Sequence, residues 1–161
     1  MNTQTHRALG APERMFWLLD QLRPVHFTMA AEITGIQPIA NWQKALAAIQ
    51  QQQPLFAVGI RFNENNAPEF VTQPGNPIPL KVVKSISETA WVAELQHDIA
   101  QRFDSSSAPL VRAALYEFEN KSVITLTAHH SISDGRSMTY VLRDLLNAMN
   151  GKYAPCYAAI N

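Results

Sequence analysis

The chain has 161 residues, 47% of them hydrophobic and 9% aromatic, which suits one globular domain with a true core and excludes a disordered segment. Lys+Arg and Asp+Glu each total 13, so the formal net charge is zero, and the scattered basic residues form no patch for nucleic acid or an anionic membrane. Cys156 stands alone, which excludes an intrachain disulfide and a CxxC metal or redox motif. Met1 to Gly10 lacks the apolar core of a signal peptide, and no apolar run approaches the roughly 20 residues of a membrane span, so a cytoplasmic location is expected.

Pro12 opens a short amphipathic helix over Glu13–Leu22, with Met15, Phe16, Leu18, Leu19 and Leu22 on a broad apolar face, and Pro24 ends it. His26–Ile33 alternates as a strand that Gly35 closes. Pro38 starts a helix over Ile39–Gln52, in which Ile39, Trp42, Leu46 and Ile49 follow helical spacing. Leu55–Phe62 reads as a strand containing Gly59, and short strands are expected at Glu69–Thr72 and Leu80–Val83. Ser87 marks a helix start, and Trp91, Leu95, Ile99 and Phe103 form one stripe of a helix facing a core. Asp104–Pro109 is a connecting loop. Leu110–Phe118 and Ser122–His129 form a hairpin across Glu119-Asn120-Lys121. A last helix over Ser137–Asn150 presents Met138, Val141, Leu142, Leu145 and Met149, with Gly151 as its C′ residue. Strands alternating with helices, one hairpin and no repeat give an α/β fold, an α+β two-layer sandwich with helices packed on a mixed sheet. The lobe is expected over 1–150, with 151–161 as a linker or tail.

The stretch with most chemical content is His129-His130-Ser131-Ile132-Ser133-Asp134-Gly135, at the end of the hairpin. Histidine titrates near neutral pH without special help, so an imidazole fixed at a strand end suits proton abstraction. If Ile124, Leu126 and Ala128 share a face, His130 continues that row and His129 falls with Thr125 and Thr127. On this reading His130 is the imidazole held against apolar neighbours, where desolvation favours the neutral, basic form. Asp134 and Gly135 supply a turn, and the glycine tolerates positive φ. Arg112, flanked by apolar residues on the preceding strand, needs a counter-charge, and Asp134 can provide it. By themselves these residues are equally a hairpin end followed by a turn. A divalent metal held by His129 or His130 with Asp134 lacks a third ligand nearby. Ser131 and Ser133 lack the GxSxG elbow of a serine nucleophile. Trp17, Trp42 and Trp91 sit on helix faces and read as core.

HHSISDG resembles the HHxxxDG motif of the chloramphenicol-acetyltransferase-like acyltransferases. That superfamily includes condensation domains of nonribosomal peptide synthetases, polyketide-associated acyltransferases, alcohol acetyltransferases and wax ester synthases. The likeness extends to Phe103-Asp104 followed by Pro109-Leu110-Val111-Arg112-Ala113-Ala114-Leu115, which is similar to the family's "fD…PLxRaxL" stretch. Pro12-Glu13-Arg14-Met15-Phe16-Trp17 resembles its first block, and Gln53-Pro54-Leu55 falls where the family has "HP-L-L-R".

The resemblance implies that His130 is the general base that deprotonates an acceptor hydroxyl or amine. That acceptor attacks an acyl thioester carried by coenzyme A or by the phosphopantetheine of an acyl carrier protein. No permanently bound cofactor and no metal are implied. It also implies that His129 is architectural, that Asp134 joins a salt bridge fixing the loop, and that Gly135 lets the backbone turn beside the substrate channel. Two features depart from the pattern. Ala57 stands where condensation domains carry the Arg of "LRT", which favours an O-acylating over an N-acylating relative. Nothing matches the second lobe with its DFGWG-like block, so the chain resembles the N-terminal lobe alone: a fragment, a truncated gene or a self-assembling half-enzyme. Self-association, or pairing with a C-terminal lobe, is therefore expected, and a catalytically incomplete docking module is the alternative function.

Overall fold

The computed structural model describes residues 6–151, so the expected tail 151–161 lies outside them except for Gly151. In chain order the elements are β1 (His6–Ala8), α1 (Ala11–Asp20), β2 (His26–Thr34), α2 (Ile39–Gln52) and a 3-10 turn (Pro54–Ala57). There follow β3 (Val58–Phe62), β4 (Pro68–Thr72), β5 (Leu80–Val83), α3 (Ala90–Ala100), β6 (Val111–Glu117), β7 (Lys121–His129) and α4 (Gly135–Met149). The strands form a three-stranded sheet ordered β1-β4-β3 and a four-stranded sheet ordered β2-β7-β6-β5. In the larger sheet β5 runs parallel to β6 and the other pairs are antiparallel, so the expected α/β fold with a mixed sheet is what forms.

The β6–β7 hairpin anchors the molecule. Phe118 N–H donates to the Lys121 carbonyl at 2.9 Å, so the loop lies one residue earlier than the sequence places it. Strand β7 is central and buried on both faces from Ser122 to His129. One face presents Val111, Ala113 and Leu115 with Ile124, Leu126 and Ala128 to Trp42, Leu46 and Ile49 of α2 and to Met138, Val141, Leu142 and Leu145 of α4. Each large side chain buried there contributes about 1.5–3 kcal/mol. The helical spacing of α2 and α4 is thus directed at the core, as expected. Gly151 has φ +68° and takes the C′ position after Asn150.

Three elements depart from expectation. Helix α1 ends at Asp20, which leaves Leu22 82% exposed and Met15 and Leu18 each 49% exposed; its single buried residue is Asp20. Pro54, with no N–H for a ladder, begins a 3-10 turn in which Phe56 N–H donates to the Gln53 carbonyl, and β3 starts only at Val58. Helix α3 stops at Ala100 because Gln101 is extended, so Phe103 is not on it and none of its residues is buried. Of the expected apolar stripe of α3, Trp91 packs on Tyr116 and Phe118, and the later turns are held by polar clamps. Lys81 Nζ reaches Glu94 at 2.9 Å and Asp98 at 2.7 Å, and the Tyr116 hydroxyl donates to Asp98.

Strand β1 is the element that the sequence reading lacks. Its three residues are exposed, carry no alternation, and join the sheet through pairing with β4. The Asp104–Ser107 loop docks on β3 at Gly59, where an added Cβ would come within 2.6 Å of the Ser106 carbonyl. Among the described residues no helix is long and apolar enough to cross a membrane.

Candidate active site

The motif turn is fixed at both ends by backbone hydrogen bonds. His129 N–H donates to the Leu110 carbonyl at 3.0 Å, and His130 N–H donates to the Val25 carbonyl at 3.1 Å. Ile132 N–H returns to the His129 carbonyl at 3.0 Å and closes the turn. Asp134 then caps α4, its carboxylate accepting the Ser137 N–H at 2.7 Å.

His130 is half-buried between two aromatic rings. Phe16 of α1 stacks on it with centroids 4.6 Å apart and planes 18° apart, and Phe27 of β2 lies at 4.4 Å and 33°. Its Nδ1 is buried without a hydrogen-bond partner, so Nε2 is the nitrogen left to meet a reactant. Burial pushes its pKa below the ordinary histidine value, opposed by the Ser133 backbone and the Asp134 carboxylate. A neutral imidazole with one free nitrogen can accept a proton.

His129 is buried completely, which corrects the expectation that His130 is the more desolvated of the pair. The register itself agrees with the alternation: His129 shares a face with Thr125 and Thr127 and pairs with His26 on β2. That face, however, is closed over by α3 and Phe103, so both rows of β7 are buried. Phe103 meets His26 and His129 edge-on, at 5.6 and 6.4 Å between centroids. The Nδ1 of His129 accepts the Ser131 N–H at 3.1 Å, so in the neutral ring the proton resides on Nε2. Burial lowers the pKa of His129, and Asp20, 3.7 Å from Nε2, opposes that shift.

Arg112 and Asp134 are not partners, a second correction. The Arg112 guanidinium donates to the Asp98 carbonyl at 2.6 Å and the Gln101 carbonyl at 2.8 Å and lies 4.3 Å over the Phe103 ring. It clamps the end of α3 and reaches the histidines only through Phe103. Helix-end carbonyls attract a cation and fix it there. Asp134 is exposed, and the Ser137 N–H holds its carboxyl below the usual range. Gly135 also differs from expectation. Its φ is not in the left-handed region, and an added Cβ would meet nothing within 4 Å.

The Ser131 hydroxyl is committed to the Glu13 carbonyl at 3.1 Å, and the Ser133 hydroxyl to the Asp134 carbonyl at 3.3 Å. Among the described residues no group of three or more His, Cys, Asp and Glu side chains is arranged to hold a metal. Trp42 is fully buried; Trp17 and Trp91 are half-buried and edge onto Phe62 and Tyr116. The sequence reading missed Asp20, His26 and Phe103 as neighbours of His129, and the Phe16–Phe27 cradle of His130. Pairing β2 with β7 in register would have found His26 and Phe27, because it sets them opposite His129 and Ala128.

The chain belongs to the condensation-domain family, whose model matches residues 11–154. It is 29% identical over 153 residues to the chondramide synthase of Chondromyces crocatus, covering 88% of this chain and 4% of the synthase. Against the phosphinothricin tripeptide synthetase of Streptomyces viridochromogenes it is 26% identical over 147 residues, covering 85% of this chain and 14% of that protein. Its fold matches the first condensation domain of the calcium-dependent antibiotic synthetase, solved with a substrate analogue, at TM-score 0.81 and 20% identity. That match covers 96% of this chain and 40% of the solved one.

Proposed function

We propose that this chain is the N-terminal lobe of a condensation domain, with His130 as the general base of acyl or peptidyl transfer. The donor is a thioester on the phosphopantetheine of a carrier protein, and the acceptor is an amine. His130 Nε2 takes a proton as the amine nitrogen attacks the thioester carbonyl. The C–N bond forms, the C–S bond breaks, and the departing thiolate takes up the proton that His130 accepted, which regenerates the base. Because the thioester is already activated, positioning plus a base suffices.

The observation that carries this reading is the half-buried His130 ring gripped by Phe16 and Phe27, with Nδ1 buried and without a partner. Family membership and a relative that is a tripeptide synthetase favour an amine over the hydroxyl suggested by Ala57, and a carrier-bound donor over free acyl-CoA. The match to 40% of a solved condensation domain supports a lobe whose opposite wall comes from a C-terminal lobe or a second copy. With the complementary lobe present, His130→Ala lowers transfer between two loaded carrier proteins by about 10²–10⁴-fold. Undiminished transfer overturns the assignment and leaves the docking-module reading.

A further inference from the structure

Helix α1 exposes leucine and methionine and buries an aspartate. The Asp20 side chain is 6% exposed, and an uncompensated carboxylate at such a site costs several kcal/mol. A buried leucine would fill the space without desolvating a charge. What the carboxylate adds is direction, and its neighbours show where it is aimed.

Asp20 Oδ1 accepts the Val25 N–H at 3.1 Å, and the Val25 carbonyl accepts the His130 N–H at 3.1 Å. Asp20 Oδ1 also lies 3.7 Å from His129 Nε2, a buried nitrogen with no hydrogen-bond partner, whose ring receives the Ser131 N–H on its other side. Arg102, just beyond α3, approaches Oδ2 at 3.6 Å and donates to the Asp20 carbonyl. His26 stands across from His129 on β2, its Nε2 on the Ile99 carbonyl. Asp20 therefore reaches both residues of the His129–His130 peptide, His130 through the Val25 backbone and His129 directly at its ring. The same helix contributes Phe16 to the His130 ring and the Glu13 carbonyl to the Ser131 hydroxyl.

We infer that Asp20 is a positioning residue of the site: from α1 it holds the His129 ring and the Val25 backbone, and so aims His130. The catalytic consequence rests on the general-base reading above; the structural part stands apart from it. The carboxylate acts through others, and no reactant touches it.

Imidazole ¹⁵N NMR on the 161-residue chain tests the structural part directly. In the wild type His129 is neutral with its proton on Nε2. Asp20→Asn, which keeps the shape and removes the charge, moves the amide signals of Val25, His130 and Ser131 and reduces the ring-current displacement of the His130 ring protons. Asp20→Leu, which also removes the acceptor of the Val25 N–H, speeds amide exchange at Val25 and shifts the His129 ring ¹⁵N signals. Protonation of wild-type His129 on Nδ1 overturns the inference, and this needs no variant to fold. Wild-type signals at these positions in both variants overturn it as well. In the transfer assay Asp20→Asn lowers kcat about tenfold and leaves KM within about twofold, the signature of a misaimed base. Unchanged kcat removes the positioning role. Full activity of His130→Ala alongside the expected NMR changes overturns the general-base reading alone.

Discussion

The face of the four-stranded sheet beneath α2 and α4 carries Val111, Ala113, Leu115, Ile124, Leu126 and Ala128, whereas the face beneath α3 carries Arg112, Tyr116, Thr125, Thr127 and His129. The first is closed by apolar burial, which is strong and has no preferred direction. The second is closed in part by directional contacts, Arg112 on helix-end carbonyls and Lys81 and Tyr116 on Asp98, and in part by Trp91 packed on Ala114, Tyr116, Phe118 and Val123. A half-open pocket of about 140 Å³, lined in part by Pro79, Lys81, Asp98, Arg112, Ala114 and Thr127, remains against that face. The apolar face supplies stability, while the other face buries the His129 ring, whose tautomer is set by the Ser131 N–H. Each histidine of the motif draws on one of the two faces.

The largest test of this contrast is Leu126→Ala. Leu126 is fully buried on the apolar face, and its truncation destabilises the fold by about 3 kcal/mol in urea denaturation. Arg112→Met leaves the Asp98 and Gln101 carbonyls without this donor and costs about 1.5–2 kcal/mol, with faster amide exchange confined to the end of α3. If the arginine proves the costlier loss, the division between the faces fails.

Asp134→Ala removes the α4 cap and costs about 1 kcal/mol, measured the same way. A salt bridge to Arg112 would instead make the Asp134 and Arg112 changes non-additive; here they add.

Acid acts on the histidines. Both have folded-state pKa values below the ordinary 6.5, so below that pH the unfolded chain binds more protons than the native one. Stability is therefore full above 6.5 and declines as the pH falls through 6.5 toward the depressed values. Replacing His129 by Gln flattens that decline, read by denaturation between pH 7 and 5, a range that spans the ordinary histidine pKa. The smallest effect belongs to Gly135→Ala. With open space at Cβ and φ outside the left-handed region, the change shifts stability by less than about 1 kcal/mol.

Much of the fold was legible because its elements are amphipathic with clear periods. Trp42, Leu46 and Ile49, and Met138, Val141 and Leu145, lie at helical spacing and all reach the core. Strand β1 escaped because three exposed residues carry no pattern. Helix α3 was mispredicted for a different reason. Trp91 of its apolar stripe packs on Tyr116 and Phe118, but Gln101 turns extended and Lys81 and the Tyr116 hydroxyl lie beneath Asp98, so the later turns dock through polar groups. At the site, the motif and its alternation located both histidines on the correct faces. Alternation cannot say which face another element covers, and that alone reversed their burial.

The sequence by itself determined the mixed α/β fold, the hairpin leading into HHSISDG and the family to which the chain belongs. These follow from local period and from a contiguous motif. Only the tertiary structure decided that Arg112 clamps α3 rather than Asp134, that His129 is the buried imidazole, and that Asp20 stands behind it. Those contacts join residues from 11 to 109 positions apart, and no local pattern carries them. They exist because folding places the ends of α1, α3 and β7 together, where a buried charge must find partners.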